Sequence, residues 1–177
     1  MRTSFGLALP FEADTVPSGP DWLHEIKHDG YRMMVIREQK TVRLITKGRL
    51  DLSKHFPWIV ESALKLHQQF IIDGEAVVLG VDGKSDFAAL HSRGHDQEAQ
   101  FYAFDMLACG GDDHRKLPLS LRKQNLAALL PLSSYGIHAA PFEQGEVGPH
   151  SCGELELLDS IHKKAVLFRN QLCIATD

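Results

Sequence analysis

The strand-forming runs of this chain come side by side, with tight turns between them, and not one at a time with a helix between each. GYRMMVIRE (30–38) and TVRLIT (41–46) are separated only by Gln39 and Lys40, the spacing of a hairpin. FII (70–72), AVVL (76–79) and FYAFDML (101–107) are further apolar runs of strand length. Asp82-Gly83 is a hairpin-turn pair. A parallel sheet needs a crossover, usually helical, between its strands. That alternation is not kept here, so the chain is expected to be α+β, with antiparallel sheets and flanking helices.

Three segments read as helices. Phe56 and Pro57 precede WIVESALKLHQQ (58–69), in which Ile59, Val60, Ala63, Leu64 and His67 fall near a 3.6-residue period. Pro57 suits the first turn of that helix. DFAALHSR (86–93) reads as a short helix. Ser120 is placed to cap LRKQNLAALL (121–130), which stops before Pro131. Residues 10–22 are rich in Pro, Gly and acid and read as an extended lead-in. From about residue 143 the periodicity weakens and no pairing of elements is legible.

Composition narrows the class of protein. With 177 residues, 44% apolar and 24% charged, the chain reads as one soluble globular domain with a sizeable core. No run of about 18 apolar residues is present, so no membrane span is expected. No signal peptide is expected at the N-terminus, because Pro10 and acid break the apolar stretch there. Cys109, Cys152 and Cys173 are far apart and odd in number, which points to a reducing, cytoplasmic setting. The net charge of −4 does not advertise nucleic-acid binding on its own.

The sharpest local signal is Glu25-Ile26-Lys27-His28-Asp29-Gly30-Tyr31-Arg32, the pattern ExKxDGxR. Gly30 permits a tight backbone turn beside the lysine. A lysine attacks only as the free amine, a form favoured by nearby cationic charge and partial desolvation. Arg32 is the candidate within this segment to supply that charge. Read without context, the octapeptide is also compatible with a surface hairpin. Two further segments stand out. Ile72-Asp73-Gly74-Glu75 sets two acids around a glycine between strand stretches, costly unless the acids find partners, and alone it reads as a β-turn. Phe101 to Leu107 buries Asp105 in an aromatic run that alone reads as core.

Together these segments resemble the covalent nucleotidyltransferases: DNA ligases, RNA ligases and capping enzymes. They occur in the family's order, with 48 residues from Lys27 to Glu75 and 29 from Glu75 to Phe104. The flanks WLHEIKHDGYR, VRLITKG, IDGEAVVL and SDFAAL most resemble the ligase component of bacterial end-joining repair ligases. The resemblance covers about residues 8–143. It implies an ATP-grasp-like adenylation core in which Lys27 attacks the α-phosphate of ATP to form lysyl-AMP. It implies that Glu25 and Arg32 contact the nucleotide, that Phe104 stacks on adenine, and that Glu75 holds ribose or metal. The implied cofactors are ATP and Mg²⁺ or Mn²⁺. The implied partners are nicked or broken double-stranded DNA and end-joining repair proteins, in a bacterial cytoplasm.

The sequence departs from the family pattern in three places. Where a TRNG-like segment is expected, it reads Thr46-Lys47-Gly48-Arg49. Lys47 keeps a charge for nucleotide binding but lacks the planar fork of arginine. The best match to the EGxVxK motif is Asp159 to Lys164, with Asp159 as a metal ligand and Lys164 as a nucleotide contact. The KxK motif and the following oligonucleotide-binding-fold domain are not found. The expected organisation is therefore a core over 1–142 and a divergent tail over 143–177, truncated relative to a complete ligase. A frameshift would account for the abrupt loss of pattern. A catalytically inactive remnant, serving as a nucleotide-binding or interaction module, is the alternative.

Other patterns carry less. Gly83-Lys84-Ser85 lacks the first glycine of a P-loop, since position 78 is Val78, and reads as a hairpin turn. His91 and His95 lack a third ligand and read as solvated. Arg115, Lys116, Arg122 and Lys123 read as a solvated helix face.

Overall fold

The computed structural model describes residues 5, 7, 11–13, 19–20, 22–130, 135–145, 165–168 and 171–175. The chain divides into two compact units. The larger comprises residues 1–7 and 29–139, the smaller residues 8–28 and 140–177.

The larger unit is built on a six-stranded sheet. Its elements are β3 (Tyr31–Glu38), β4 (Thr41–Thr46), α1 (Pro57–Lys65), β5 (Phe70–Val77), α2 (Phe87–Ser92), β6 (Gln100–Cys109), β7 (Asp112–Asp113), α3 (Leu119–Leu129) and β8 (Ile137–Ala139). The strand order is β4-β3-β5-β6-β7, all antiparallel, with β8 alongside β6 in parallel. The predicted hairpin is present: Gln39 takes the left-handed conformation (φ 50°) between β3 and β4. The Asp82-Gly83 turn is present too, with Gly83 at φ 78° and its amide bonded to the Gly80 carbonyl.

All three helices cover one face of this sheet. Ile59 and Ala63 of α1, Leu90 of α2 and Leu126 of α3 pack with Met33, Val35, Ile72, Phe101 and Met106. Burying each large side chain contributes about 1.5–3 kcal/mol. On the other face Met34, Ile71, Leu107 and Ala108 form a smaller apolar patch, covered by Phe5 and Leu7. Arg32, Asp73 and Glu75 make the other end of that face polar.

Several local expectations are corrected. The first helix ends at Lys65, and within it Leu64 is exposed while Ser62 is buried. The Ser62 hydroxyl donates to the Tyr135 carbonyl, which places a polar side chain inside at little cost. Ser120 does not cap α3: the helix starts at Leu119, and Pro118 stands at the cap position without a side-chain bond. The second acidic segment is no turn, because Asp73, Gly74 and Glu75 lie inside β5.

The smaller unit is a five-stranded sheet of β1 (Phe11–Ala13), β2 (Leu23–Lys27), β9 (Phe142–Gln144), β10 (Ala165–Phe168) and β11 (Gln171–Ala175), in the order β1-β10-β11-β2-β9. The stretch after residue 143, illegible in sequence, thus supplies a hairpin. Its strand β11 runs parallel to β2 from Leu23 to Lys27.

Candidate active site

Lys27 and Glu25 lie on β2 of the smaller unit. Strand side chains alternate between faces, so these two share one face and His24 and Ile26 take the other. Glu25 is 4% exposed and Lys27 half-buried. His24 is fixed on its own side: its Nε2 donates to the Gly145 carbonyl at 2.8 Å. The division between the units falls after His28, one residue beyond Lys27.

Arg32, Glu75 and Phe104 lie on the polar face of the larger sheet. Arg32 reaches from β3 to β5, where Nε donates to Asp73 Oδ1 at 3.3 Å and Nη2 to Oδ2 at 2.8 Å. Its guanidinium carbon stands 5.3 Å from the centre of the Phe104 ring, a cation–π contact. Glu75 is the cross-strand register partner of Arg32. The second, third and first motifs therefore meet on three adjacent strands.

Two glycines make that approach possible. A Cβ on Gly30 would overlap the carbonyl oxygen of Ala76, so only glycine lets the start of β3 lie this close to β5. A Cβ on Gly74 would overlap the Tyr102 carbonyl and come within 2.6 Å of the Phe101 ring. Phe104 is aimed by a bulge: Asp73 pairs with Asp105 and Gly74 with Ala103, leaving Phe104 as the extra residue.

The acids of the second and third motifs do find partners. Asp73 is 2% exposed, and burial pushes its carboxyl up to about 6 against the opposing pull of Arg32. At pH 7 it remains charged, as the two-bond pair with Arg32 requires. Asp105 pairs with Arg122 of α3; burial raises its carboxyl too, while Arg122 lowers it. Arg122 is thus not on a solvated face, and Lys123 beside it is 3% exposed. The apolar run had required a partner for Asp105, but nothing in the sequence pointed to Arg122.

Lys47 is exposed in the turn after β4, and its backbone amide donates to the Arg32 carbonyl at 3.3 Å. Arg49 is exposed in the same turn, in the left-handed conformation at φ 65°. Asp159 and Lys164 lie outside the described residues. Two side chains that the sequence did not single out join the polar face. Tyr102 pairs in register with Glu75, and His138 of β8 pairs with Tyr102, their rings 5.4 Å apart. His91, read as solvated, bonds the Tyr31 hydroxyl through Nδ1 at 2.8 Å. Among the described residues no helix is long and apolar enough to cross a membrane.

Comparison with known proteins follows the same lines. A family model described as ATP dependent DNA ligase domain matches residues 11–146. The multifunctional non-homologous end joining protein LigD of Pseudomonas aeruginosa is 35% identical over 118 residues, covering 64% of this chain and 14% of that protein. DNA ligase C2 of Mycolicibacterium smegmatis is 34% identical over 134 residues, covering 69% of this chain and 38% of that protein. The chain therefore spans well under half the length of these curated relatives. The crystal structure of the ligase domain from M. tuberculosis LigD matches with a TM-score of 0.63 at 26% identity, over 75% of this chain and 45% of that one. A mycobacterial DNA ligase D complexed with ATP and MES matches with a TM-score of 0.62 at 26% identity, over 73% of this chain and 43% of that one.

Proposed function

The chain belongs to the ATP-dependent DNA ligase domain family, and on that premise we propose that it adenylates itself at Lys27 as the first step of DNA strand joining. The observation that carries this reading is the convergence of Arg32, Asp73, Glu75 and Phe104 on one sheet face. Lys27, as the free amine, attacks the α-phosphorus of ATP. An N–P bond forms, the bond to the bridging oxygen breaks, and pyrophosphate leaves. The AMP then passes to a 5′-phosphate at a nick or break, and a 3′-hydroxyl displaces it to seal the strand.

The roles follow from the side chains. Phe104, half-buried on the polar face, supplies an aromatic ring to stack on the adenine. Arg32, oriented by Asp73, and Lys47 present cationic charge to phosphate oxygens. Glu25, with Lys27 on the same strand face, contacts the nucleotide. Glu75 takes a ribose hydroxyl or a metal ion. Among the described residues no three metal-binding side chains are grouped together. Mg²⁺ usually needs only one or two carboxylates plus substrate phosphates, so Glu75 fits that mode, and Asp159 would be the second carboxylate. The ion would neutralise charge developing on the phosphates. Lys164 would add a further nucleotide contact. The partners are nicked or broken duplex DNA and end-joining repair proteins, in the bacterial cytoplasm.

Labelled ATP tests the reaction. Label at the α-phosphate should stay with the denatured protein, and label at the γ-phosphate should not. Retention of the γ label, or of neither, would overturn the assignment.

A further inference from the structure

The polar face of the larger sheet carries one straight cross-strand row. Arg32 of β3 is in register with Glu75 of β5, Glu75 with Tyr102 of β6, and Tyr102 with His138 of β8. Register partners point to the same face, and adjacent strands lie about 4.8 Å apart. The row therefore runs Arg–Glu–Tyr–His in roughly equal steps. Its first two members are the ones to which the proposed function gives phosphate and ribose contacts. Tyr102 lies in the third motif with no role assigned to it there, and His138 belongs to none of the motifs.

We propose that Tyr102 and His138 continue this row as specificity residues that read the ribose hydroxyls of bound ATP. This rests on the adenylation reading of the same face. The row passes from cationic Arg32 through Glu75 to two groups that favour their uncharged forms. Burial raises the Tyr102 phenol and lowers the His138 imidazole, so at neutral pH one keeps its O–H and the other has a free ring nitrogen. Phosphate oxygens are already served by the cations Arg32 and Lys47. A hydroxyl, at once donor and acceptor, matches a phenol and a neutral imidazole. The adenine face is already served by Phe104, which lies on the Arg32 side of the row. The two rings, 5.4 Å apart and tilted by 31°, brace one another. The Gly136 carbonyl accepts from the Phe101 amide at 2.9 Å, which anchors β8 beside β6. The edge of the row is thus a built surface, not a loose loop.

The test is equilibrium binding of ATP and 2′-deoxy-ATP to the full chain, with adduct formation followed in parallel by mass. The wild type should prefer ATP. Tyr102→Phe keeps the ring and removes only the hydroxyl; it should cut the preference about fivefold, the worth of roughly one net hydrogen bond. His138→Ala should act in the same direction. A wild type without preference, or variants that weaken both nucleotides equally, would overturn the proposal. A wild type that discriminates but forms no adduct would overturn the adenylation reading alone. A wild type that binds neither nucleotide would overturn both.

Discussion

Arg32 and Asp73, 41 residues apart in sequence, form a two-bond ion pair on adjacent strands, with closest approach 2.8 Å between Nη2 and Oδ2. Their side chains are 14% and 3% exposed, so the pair is largely removed from water. Removing one partner leaves a buried charge uncompensated, at a cost of about 3–5 kcal/mol. Asp73→Ala is expected to lower stability by roughly 3 kcal/mol in urea denaturation. It should also weaken ATP binding, because Arg32 loses the group that orients it. A variant as stable as the wild type would show that the pair contributes nothing to the fold.

The same pair gives the chain a pH signature. The Asp73 carboxyl is raised to about 6 in the folded protein by burial, whereas an unfolded aspartate titrates near 4. Between these values the folded chain holds a proton that the unfolded chain has lost. The stability so contributed is fully present below about pH 4 and is lost as pH rises through about 6. The stability of wild type minus that of Asp73→Asn should therefore fall across this window, by roughly 3 kcal/mol, and flatten above it. Urea midpoints at half-unit pH steps would measure it. A difference that rises with pH would mean that Arg32 outweighs burial.

Gly74 supports a second structural prediction. The space for a Cβ is already filled by the Tyr102 carbonyl and the Phe101 ring. Gly74→Ala must push β5 and β6 apart where Glu75 and Phe104 are set. A loss of about 1–3 kcal/mol is expected, the range for overpacking a core. Gly83→Ala, in an exposed turn with open space around it, should cost less despite its positive φ. Equal losses at both positions would remove the packing argument.

Much of this architecture could be read from residue order. The hairpin at Gln39-Lys40, the turn at Asp82-Gly83 and the long strand through Phe101–Leu107 follow from local chemistry. The motifs placed Arg32, Glu75 and Phe104, and the structure brings those three onto one face. What escaped reading was long-range. Asp73 and Glu75 are read as a turn because paired acids flanking a glycine suit one. They sit within strand β5, where Arg32 pairs with Asp73 from β3. Arg122 reads as solvated because its partner Asp105 is 17 residues away on another element. His138 carries no motif at all, and only the register of β8 brings it beside Tyr102. The strands at 165–168 and 171–175 lack a periodic signature because they are four and five residues long.

Phe104 offers a test that separates nucleotide binding from folding. It is half-buried on the polar face and belongs to neither apolar cluster. Phe104→Ala should leave the urea midpoint nearly unchanged and weaken ATP binding about tenfold, as for the loss of one aromatic stacking contact of ~1–1.5 kcal/mol. Phe104→Tyr should retain most of the affinity. Calorimetric titration would decide it, and unchanged affinity in Phe104→Ala would remove adenine from this face.

The most direct test of the account is the intact mass of the chain after incubation with ATP and Mg²⁺, beside Lys27→Ala treated identically. The account predicts a gain of one AMP on the wild type, absent from the variant. An unmodified wild type from a folded, ATP-saturated sample, or an adduct that persists in Lys27→Ala, would contradict it.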